Sequence, residues 1–391
     1  MPVLRSVRER FAREKPLAGI QIGACLHVTT ETANLVEGLI EGGAEVVLCA
    51  ANPLSTQDAT AAALVHRAGA TVLASHGEGV DSYRAHIDAV VAAKPQITMD
   101  DGADIAAGVH ALGGKLLAGV LGGTEETNTG AMRLRAMEAE GTLAFPVIAV
   151  NEARAADLFD TRYGTGQSTL DGIVRATHIL LAGRVLVVVG FGRCGRGIAL
   201  RARGAGARVV VCEVDPLRAL EATMEGYEVL PSLAAAAIGD IFVTATGGNR
   251  VLAGAHLSVM RDGAILANAG HFDVEIDLEA LARVAPEHRT VRPLVEQHLR
   301  SDGARLNLLA DGRVVNLAAA EGHPAAVMDL FFAAQALATE HLVRNAGDLA
   351  AQVHGMPAAI DRSIAALELM ALGVEIDALT DEQAAYLHEW E

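Results

Sequence analysis

Gly183–Pro216 reads GRVLVVVGFGRCGRGIALRARGAGARVVVCEVDP, and the order of its parts decides the fold. VLVVV is a buried strand, a glycine turn follows, a helix-patterned stretch comes next, and ARVVVC is a second strand. Gly190, Gly192 and Gly195 form GxGxxG directly after the first strand, and Glu213 closes the second about 20 residues on. Each position has a physical reason. The first glycine allows the tight turn, the second lets backbone approach a pyrophosphate, and the third lets helix pack on strand. The helix N-terminus supplies an anion site, and the acid bonds a ribose 2′-hydroxyl. Glutamate at that strand end, rather than a nearby basic residue, selects NAD over NADP.

Outward from this unit, strand and helix patterns alternate. Downstream, Asp240–Gly248 and Gly263–Asp277 continue the sheet, with small residues and hydroxyls at the strand ends. Arg313–Ala338 reads as strand, turn and a helix that returns to the first half. Upstream, Gly19–Val28, Ala44–Asn52 and Ala70–Gly77 read as strands, and Glu31–Gly43 and Thr56–Gly69 as helices. Gln96–Asp104 gives a strand that ends in Asp100, Asp101 and Asp104. Ligands of open α/β sheets bind at the carboxyl ends of strands, which places these acids for function; a helix N-cap is an equal reading of Asp104. The expectation is an α/β protein of two doubly wound, Rossmann-like parallel sheets plus a C-terminal helical segment. Residues 1–155, completed by about 325–355, form a substrate-binding domain; 156–324 bind the dinucleotide; 356–391 are helical, with TDEQ (Thr380–Gln383) as a capping box.

Composition narrows the function. Aromatics make up 3% and the net charge is −17, which disfavours base stacking and phosphate backbones, so a small-molecule partner is expected and nucleic acid is not. Cys25, Cys49, Cys194 and Cys212 lack metal-ligand spacing, which fits a reducing cytoplasm with no metal. No uninterrupted apolar run reaches membrane-spanning length, and the charged N-terminus has no apolar signal core.

The motifs ACLHVTTETA, NPLSTQD, DDGAD, EETNTG, FDTRYGTGQS, GFGRCGRG, CEVDP, MEGYEV, NAGHFDVEID and NLAAAEGHP follow in this order. From about Lys15 onward the chain resembles the S-adenosyl-L-homocysteine hydrolases, and RYGTGQS is similar to their shorter, archaeal-type branch. The resemblance implies a cycle at a tightly held NAD: the ribose 3′-hydroxyl is oxidised, the acidified C4′ proton is removed, the 5′-substituent leaves, water adds, and the ketone is reduced again. It implies Asp101 as the base at C4′ and His27 as the acid–base group near the 5′ leaving group. It implies Glu126 and Asp160 as holders of the ribose hydroxyls, and His271 beside the 3′-oxygen and nicotinamide. It places Thr29, Glu31 and His323 at the substrate, the last two at the purine edge. Thr127, Asn128, Thr129, Thr246, Asn268 and Asn316 become further NAD contacts. Read singly, His27 is equally a core histidine, Glu126 a helix-start acid and His323 a turn residue. A homotetramer, or a homodimer, is also implied, with each NAD site closed mainly by its own subunit.

One stretch departs from the family pattern. Asn151–Gln167 reads NEARAADLFDTRYGTGQ. The family's lysine, which helps deprotonate the 3′-hydroxyl, falls on Ala156, and an asparagine falls on Thr161; Thr165 is ordinary for the shorter branch. Arg154 cannot serve as a base because guanidinium stays protonated. Lysine occurs at Lys15, Lys94 and Lys115 and nowhere later. The proton is then left to Asp160, Glu126, His271 or a water chain. Glu321, two residues before His323, can accept from an adenine amino group or a hypoxanthine N–H, or face solvent. The favoured reading is dehydration of a nucleoside to a 4′,5′-ene in natural-product biosynthesis. The alternatives are hydrolysis of S-adenosyl- or S-inosylhomocysteine and a non-enzymatic NAD and nucleoside sensor.

Overall fold

The computed structural model describes residues 1–154 and 158–386. The first sheet contains β1 (Gln21–Leu26), β2 (Glu45–Ala50), β3 (Thr71–Leu73), β4 (Ile97–Asp100), β5 (Gly122–Glu125) and β6 (Val147–Ala149). The second contains β7 (Val185–Val189), β8 (Arg208–Cys212), β9 (Glu228–Val229), β10 (Ile241–Thr244), β11 (Ala264–Asn268), β12 (Glu287–Arg292), β13 (Val295–Leu299) and β14 (Arg305–Leu309). A last strand, β15 (Val353–Gly355), joins the first sheet beside β6. The orders are β15-β6-β5-β4-β1-β2-β3 and β12-β13-β14-β11-β10-β7-β8-β9. All pairings are parallel except β12 with β13 and β13 with β14.

Both sheets are doubly wound. The first reverses direction between β1 and β4, the second between β7 and β10. Such switch points leave a crevice at the carboxyl ends of the strands, where ligands bind. The continuous apolar run of β7 follows from burial on both faces: Leu186 and Val188 enter one core, Val187 and Val189 the other. β1 and β2 likewise send Ile22, Ala24 and Leu48 to one side and Cys25, Val47 and Cys49 to the other.

The helix Ala325–Asn345 returns to the first sheet and buries Leu330, Phe331 and Phe332 in its core. It is long and apolar enough to cross a membrane by composition, yet 72% of its most apolar window is buried inside the protein. Its Asp329 is buried and accepts from Val3 N–H at 3.0 Å and Leu4 N–H at 2.7 Å, capping the helix Pro2–Glu14. These contacts make it a core helix.

Several sequence expectations need correction. Val315–Ala318 is a short helix where a strand was read; only a bridge from Val314 to Asn268 joins the sheet. The run Thr56–Gly69 begins as helix at Asp58 and widens to a π-helix at Leu64–Ala68, and the strand after it shrinks to Thr71–Leu73. The strand at Gln96–Asp104 stops at Asp100, because Gly102 and Ala103 take left-handed backbone with φ of +117° and +63°. Asp104 is not the cap of the following helix. Asp100 does that work, accepting from Ile105 N–H at 2.8 Å and Ala106 N–H at 2.9 Å. Thr380 and Gln383 form the reciprocal capping box read from TDEQ.

Candidate active site

The left-handed turn after β4 aims Asp101 at the crevice. Asp101 N–H donates to the Cys25 carbonyl at 2.9 Å, tying the end of β4 to the end of β1. His27 leaves β1 at the same level, and its Nε2 lies 3.0 Å from Asp101 Oδ2. On the other side, His271 Nδ1 stands 3.6 Å from Asp101 Oδ1. Oδ1 is buried and has no hydrogen-bond partner among the described residues. A buried carboxylate oxygen is thus left with a free lone pair between two imidazoles. His271 comes from the loop after β11 and lies over Gly102, where an added Cβ would sit 3.2 Å from its Nε2. The two switch points therefore converge on one aspartate.

Electrostatics separates the acids. Burial alone would raise Asp101, but His27 and then His271 outweigh it and hold the carboxyl below its usual 3.8. Burial raises Asp100 to about 7, against two backbone N–H bonds. Burial, then the charges of Asp100 and Asp101, push Glu125 well above its ordinary range. Burial, then Asp101, Glu125 and Asp160, do the same to Glu126. Neighbouring carboxyls in a shielded site cannot all ionise, and here the negative charge settles on Asp101. Burial lowers His271 below its usual 6.5, against the pull of Asp101, so the ring is a neutral acceptor near pH 7.

Glu126 follows β5, and its Oε1 is buried without a hydrogen-bond partner among the described residues. Asp160 lies in the π-helical turn Leu158–Thr165 and bonds His323 Nδ1 at 2.8 Å; His323 Nε2 lies 3.2 Å from Thr165 Oγ1. Asp160 and His323, expected at ribose and purine respectively, are brought together as one pair. Thr29 caps the helix Thr30–Glu41, and Glu31 accepts from the Thr30 hydroxyl at 3.0 Å. Thr29 also lines a cleft of about 410 Å³ with Ser55, Thr56, His76, Leu317 and Glu321, a volume suited to a small ligand. Glu321 sits at its rim, with a side chain 71% exposed and paired with Arg175. That matches the solvent-facing alternative, while Glu321 still lines the cleft expected for the purine.

The glycine turn fits a dinucleotide. Gly190 has φ +98°, and a Cβ on Gly195 would meet the Gly190 carbonyl oxygen at 1.9 Å. A Cβ on Gly192 would meet nothing nearer than Arg218 Nη1 at 3.7 Å, leaving its backbone open to a phosphate. Glu213 closes β8 beside the turn, accepting from Phe191 N–H at 2.7 Å, Val214 N–H at 2.7 Å and Asp215 N–H at 3.0 Å. Burial opposes and these backbone donors outweigh it, holding the carboxyl below its usual range. Asn316 donates to Ser168 Oγ at 3.1 Å and keeps a buried Oδ1 without a partner among the described residues, an acceptor open to a ligand. The turn at 162–166 rides on the cofactor helix Arg193–Gly204 through two close approaches. A Cβ on Gly197 would meet Arg162 O at 2.3 Å, and one on Gly166 would meet Gly197 O at 2.6 Å.

Other expected cofactor contacts are engaged inside the protein. Asn268 is buried and accepts from Thr244 Oγ1 and Gly270 N–H while donating to the Gly270, Phe272 and Gly312 carbonyls. Its side chain holds the loop that carries His271. Thr127 caps the helix Asn128–Ala139 and donates to Glu125, with Thr129 bonded to it at 3.3 Å. Asn128 accepts from Asn151 at 2.8 Å. Thr246 gives its N–H and hydroxyl to Glu275 at 3.0 and 2.7 Å.

Sequence reasoning passed over several residues. Ser55 Oγ lies 2.7 Å from His27 Nδ1 and donates to the Asn52 carbonyl at 2.9 Å. Glu125 accepts from Gly102 and Thr127 N–H, and Glu275 from Gly247 N–H, so each shapes a site loop. Arg133 ties the Gly102 carbonyl to Asp104. The signal of Ser55, Glu125 and Glu275 lay inside quoted motifs (NPLSTQD, EETNTG, DVEID) but carried no distinctive chemistry; Arg133 lies outside them. Ala156 lies outside the described residues. Lys94 and Lys115 precede β4 and β5, at the amino ends of the strands opposite the site, so neither replaces the expected lysine.

The model of S-adenosyl-L-homocysteine hydrolase matches residues 1–116, and that of its NAD binding domain matches residues 161–322. An adenosylhomocysteinase of Aquifex aeolicus is 56% identical over 391 residues, covering 100% of this chain and 94% of that protein. One of Saccharolobus solfataricus is 54% identical over 391 residues, covering 100% and 93%. One of Thermosynechococcus vestitus is 53% identical over 390 residues, covering 100% and 91%. The dipicolinate synthase A chain of Bacillus subtilis overlays with a TM-score of 0.47 at 13% identity, covering 85% of this chain and 98% of that one.

Proposed function

The chain belongs to the S-adenosyl-L-homocysteine hydrolase family, with NAD as its cofactor, and from that premise we propose that it hydrolyses S-adenosyl-L-homocysteine, or its inosine counterpart, to a nucleoside and homocysteine. The observation that carries the reading is the buried, unpartnered Oδ1 of Asp101 between His27 and His271. Bound NAD supplies reversible hydride exchange at the ribose 3′ carbon. Asp101, the ionised acid of its cluster, accepts the C4′ proton at Oδ1. His27, fixed by Ser55 and Asp101, exchanges a proton with the 5′ leaving group and with the water that replaces it. Glu126, whose carboxyl is pushed up by burial and by the neighbouring acids, hydrogen-bonds a ribose hydroxyl. The 3′-hydroxyl proton then falls to neutral His271 or to Asp160 with His323, in place of the lysine absent at Ala156.

Ala156 is the one observation that favours a second reading, dehydration of a 5′-hydroxyl nucleoside to the 4′,5′-ene. Hydrolysis stands ahead of it. The relatives at 53–56% identity carry the hydrolase's name along the whole chain, and both histidines beside Asp101 are in place. Homotetrameric assembly belongs to the same proposal. Val214, Leu217 and Met224, exposed beside Glu213, support a covering subunit there.

The test is mass spectrometry on the NAD-loaded protein with S-adenosylhomocysteine, S-inosylhomocysteine and 5′-hydroxyl nucleosides in separate reactions. Release of homocysteine with one nucleoside supports hydrolysis and names the purine. A product lighter by one water with no thiol release replaces it with dehydration, and binding without turnover replaces both with a sensor.

A further inference from the structure

Far from the cleft, one group of metal-binding side chains stands on the outer edge of the second sheet. β12 is the last strand, separated from β7 by β10, β11, β14 and β13. Its six residues are all exposed. In the antiparallel pairing, His288 lies opposite His298 and Thr290 opposite Glu296. Side chains two apart on a strand share a face, so His288, Glu296 and His298 point the same way.

The three side chains already converge. Glu296 bonds His288 Nδ1 through Oε1, and its Oε2 lies 3.2 Å from His298 Nε2. The two imidazoles stack with centroids 5.2 Å apart and planes 13° from parallel. One ligand atom from each residue lies within 4.8 Å of the others. Bonds of about 2.0–2.2 Å to a four-coordinate zinc put neighbouring ligand atoms about 3.3 Å apart.

His298 is 6% exposed; its Nε2 is the ring nitrogen that meets Glu296, while its Nδ1 is enclosed without a hydrogen-bond partner among the described residues.

We propose that His288, Glu296 and His298 bind a divalent transition ion of the zinc class, with a water in the fourth position. Two imidazoles and one carboxylate suit zinc better than magnesium or calcium, which prefer all-oxygen shells. With a ligand on each strand, the ion staples the edge strand β12 to β13, and its place is structural.

The test is calorimetric titration of zinc chloride into the full-length, NAD-loaded protein, beside His288→Gln and His298→Gln. His288 is exposed, so its variant reports binding even where the buried His298 change disturbs folding. The expected result is one ion per chain, bound about 10- to 100-fold more weakly or worse in H288Q. Cobalt substitution should give the visible bands of a four-coordinate site in the wild type and lose them in H288Q. Homocysteine release without added metal should be unchanged in H288Q. Equal binding by wild type and H288Q, or only weak binding at several sites, overturns the proposal.

Discussion

Replacing Ser55 by alanine isolates what holds His27. Ser55 Oγ donates its hydrogen to the Asn52 carbonyl at 2.9 Å, so it receives the Nδ1 hydrogen of His27 at 2.7 Å. That bond fixes the ring with Nε2 3.0 Å from Asp101. Ser55 is 6% exposed, so its loss leaves a shielded donor without a partner. Such a donor costs about 1–3 kcal/mol, which at about 1.4 kcal/mol per decade is a fall of roughly 5- to 150-fold in kcat/KM. Ser55 stands at the first sheet's switch point and Gly190 at the second's, so bound NAD should stay at the wild-type level. The assay is steady-state homocysteine release with a thiol reagent, run beside cofactor stoichiometry. Ser55→Thr, which keeps the hydroxyl, should recover most of the rate. A Ser55→Ala rate within about twofold of wild type would refute the idea that this hydroxyl positions His27.

The acid cluster and the glycine turn give two further predictions. Glu126 is raised above its usual 4.5, so its contribution to stability is fully present below that value and is lost as pH rises through its folded value. Glu126→Gln copies the protonated form: its Tm by calorimetry should match wild type in acid and overtake it as pH rises, and a pH-independent difference would contradict this. Gly195→Ala places a methyl 1.9 Å from the Gly190 carbonyl and should destabilise the apo protein by about 1–3 kcal/mol in urea unfolding. Gly192→Ala, with open space at its Cβ, should leave apo stability unchanged and weaken NAD retention; equal behaviour of the two variants would show that the turn is misread.

The fold was legible where one physical signal dominated. Buried strands such as VLVVV, the glycine turn and the return helix of 325–345 stand where periodicity and glycine spacing put them. The short helix at Val315–Ala318 was not legible, because RVVNL has the composition of a strand and only tertiary packing turns it. For the site, His27, Asp101 and His271 were legible as a motif set, but their convergence on one carboxylate depends on the turn at Gly102 and Ala103. Asn268 was marked as a cofactor contact by the resemblance, not by its own chemistry. Its five internal hydrogen bonds cannot be read without the loop they fold. Asp100 read as an acid placed for function, and Glu125 and Glu275 carried no reading; all three accept backbone N–H groups in shielded turns.

Asp101 as the base of a hydrolytic cycle is tested most directly by turnover in D₂O. The NAD-loaded wild type and Asp101→Asn are incubated with S-adenosylhomocysteine, and the nucleoside is analysed for deuterium at C4′ alongside released homocysteine. Deuterium at C4′ with thiol release is predicted for the wild type. The variant should still oxidise the 3′ position, yet lose C4′ exchange and release homocysteine about 10²- to 10⁴-fold more slowly. C4′ exchange in Asp101→Asn at the wild-type rate would assign the proton to another group and contradict the mechanism.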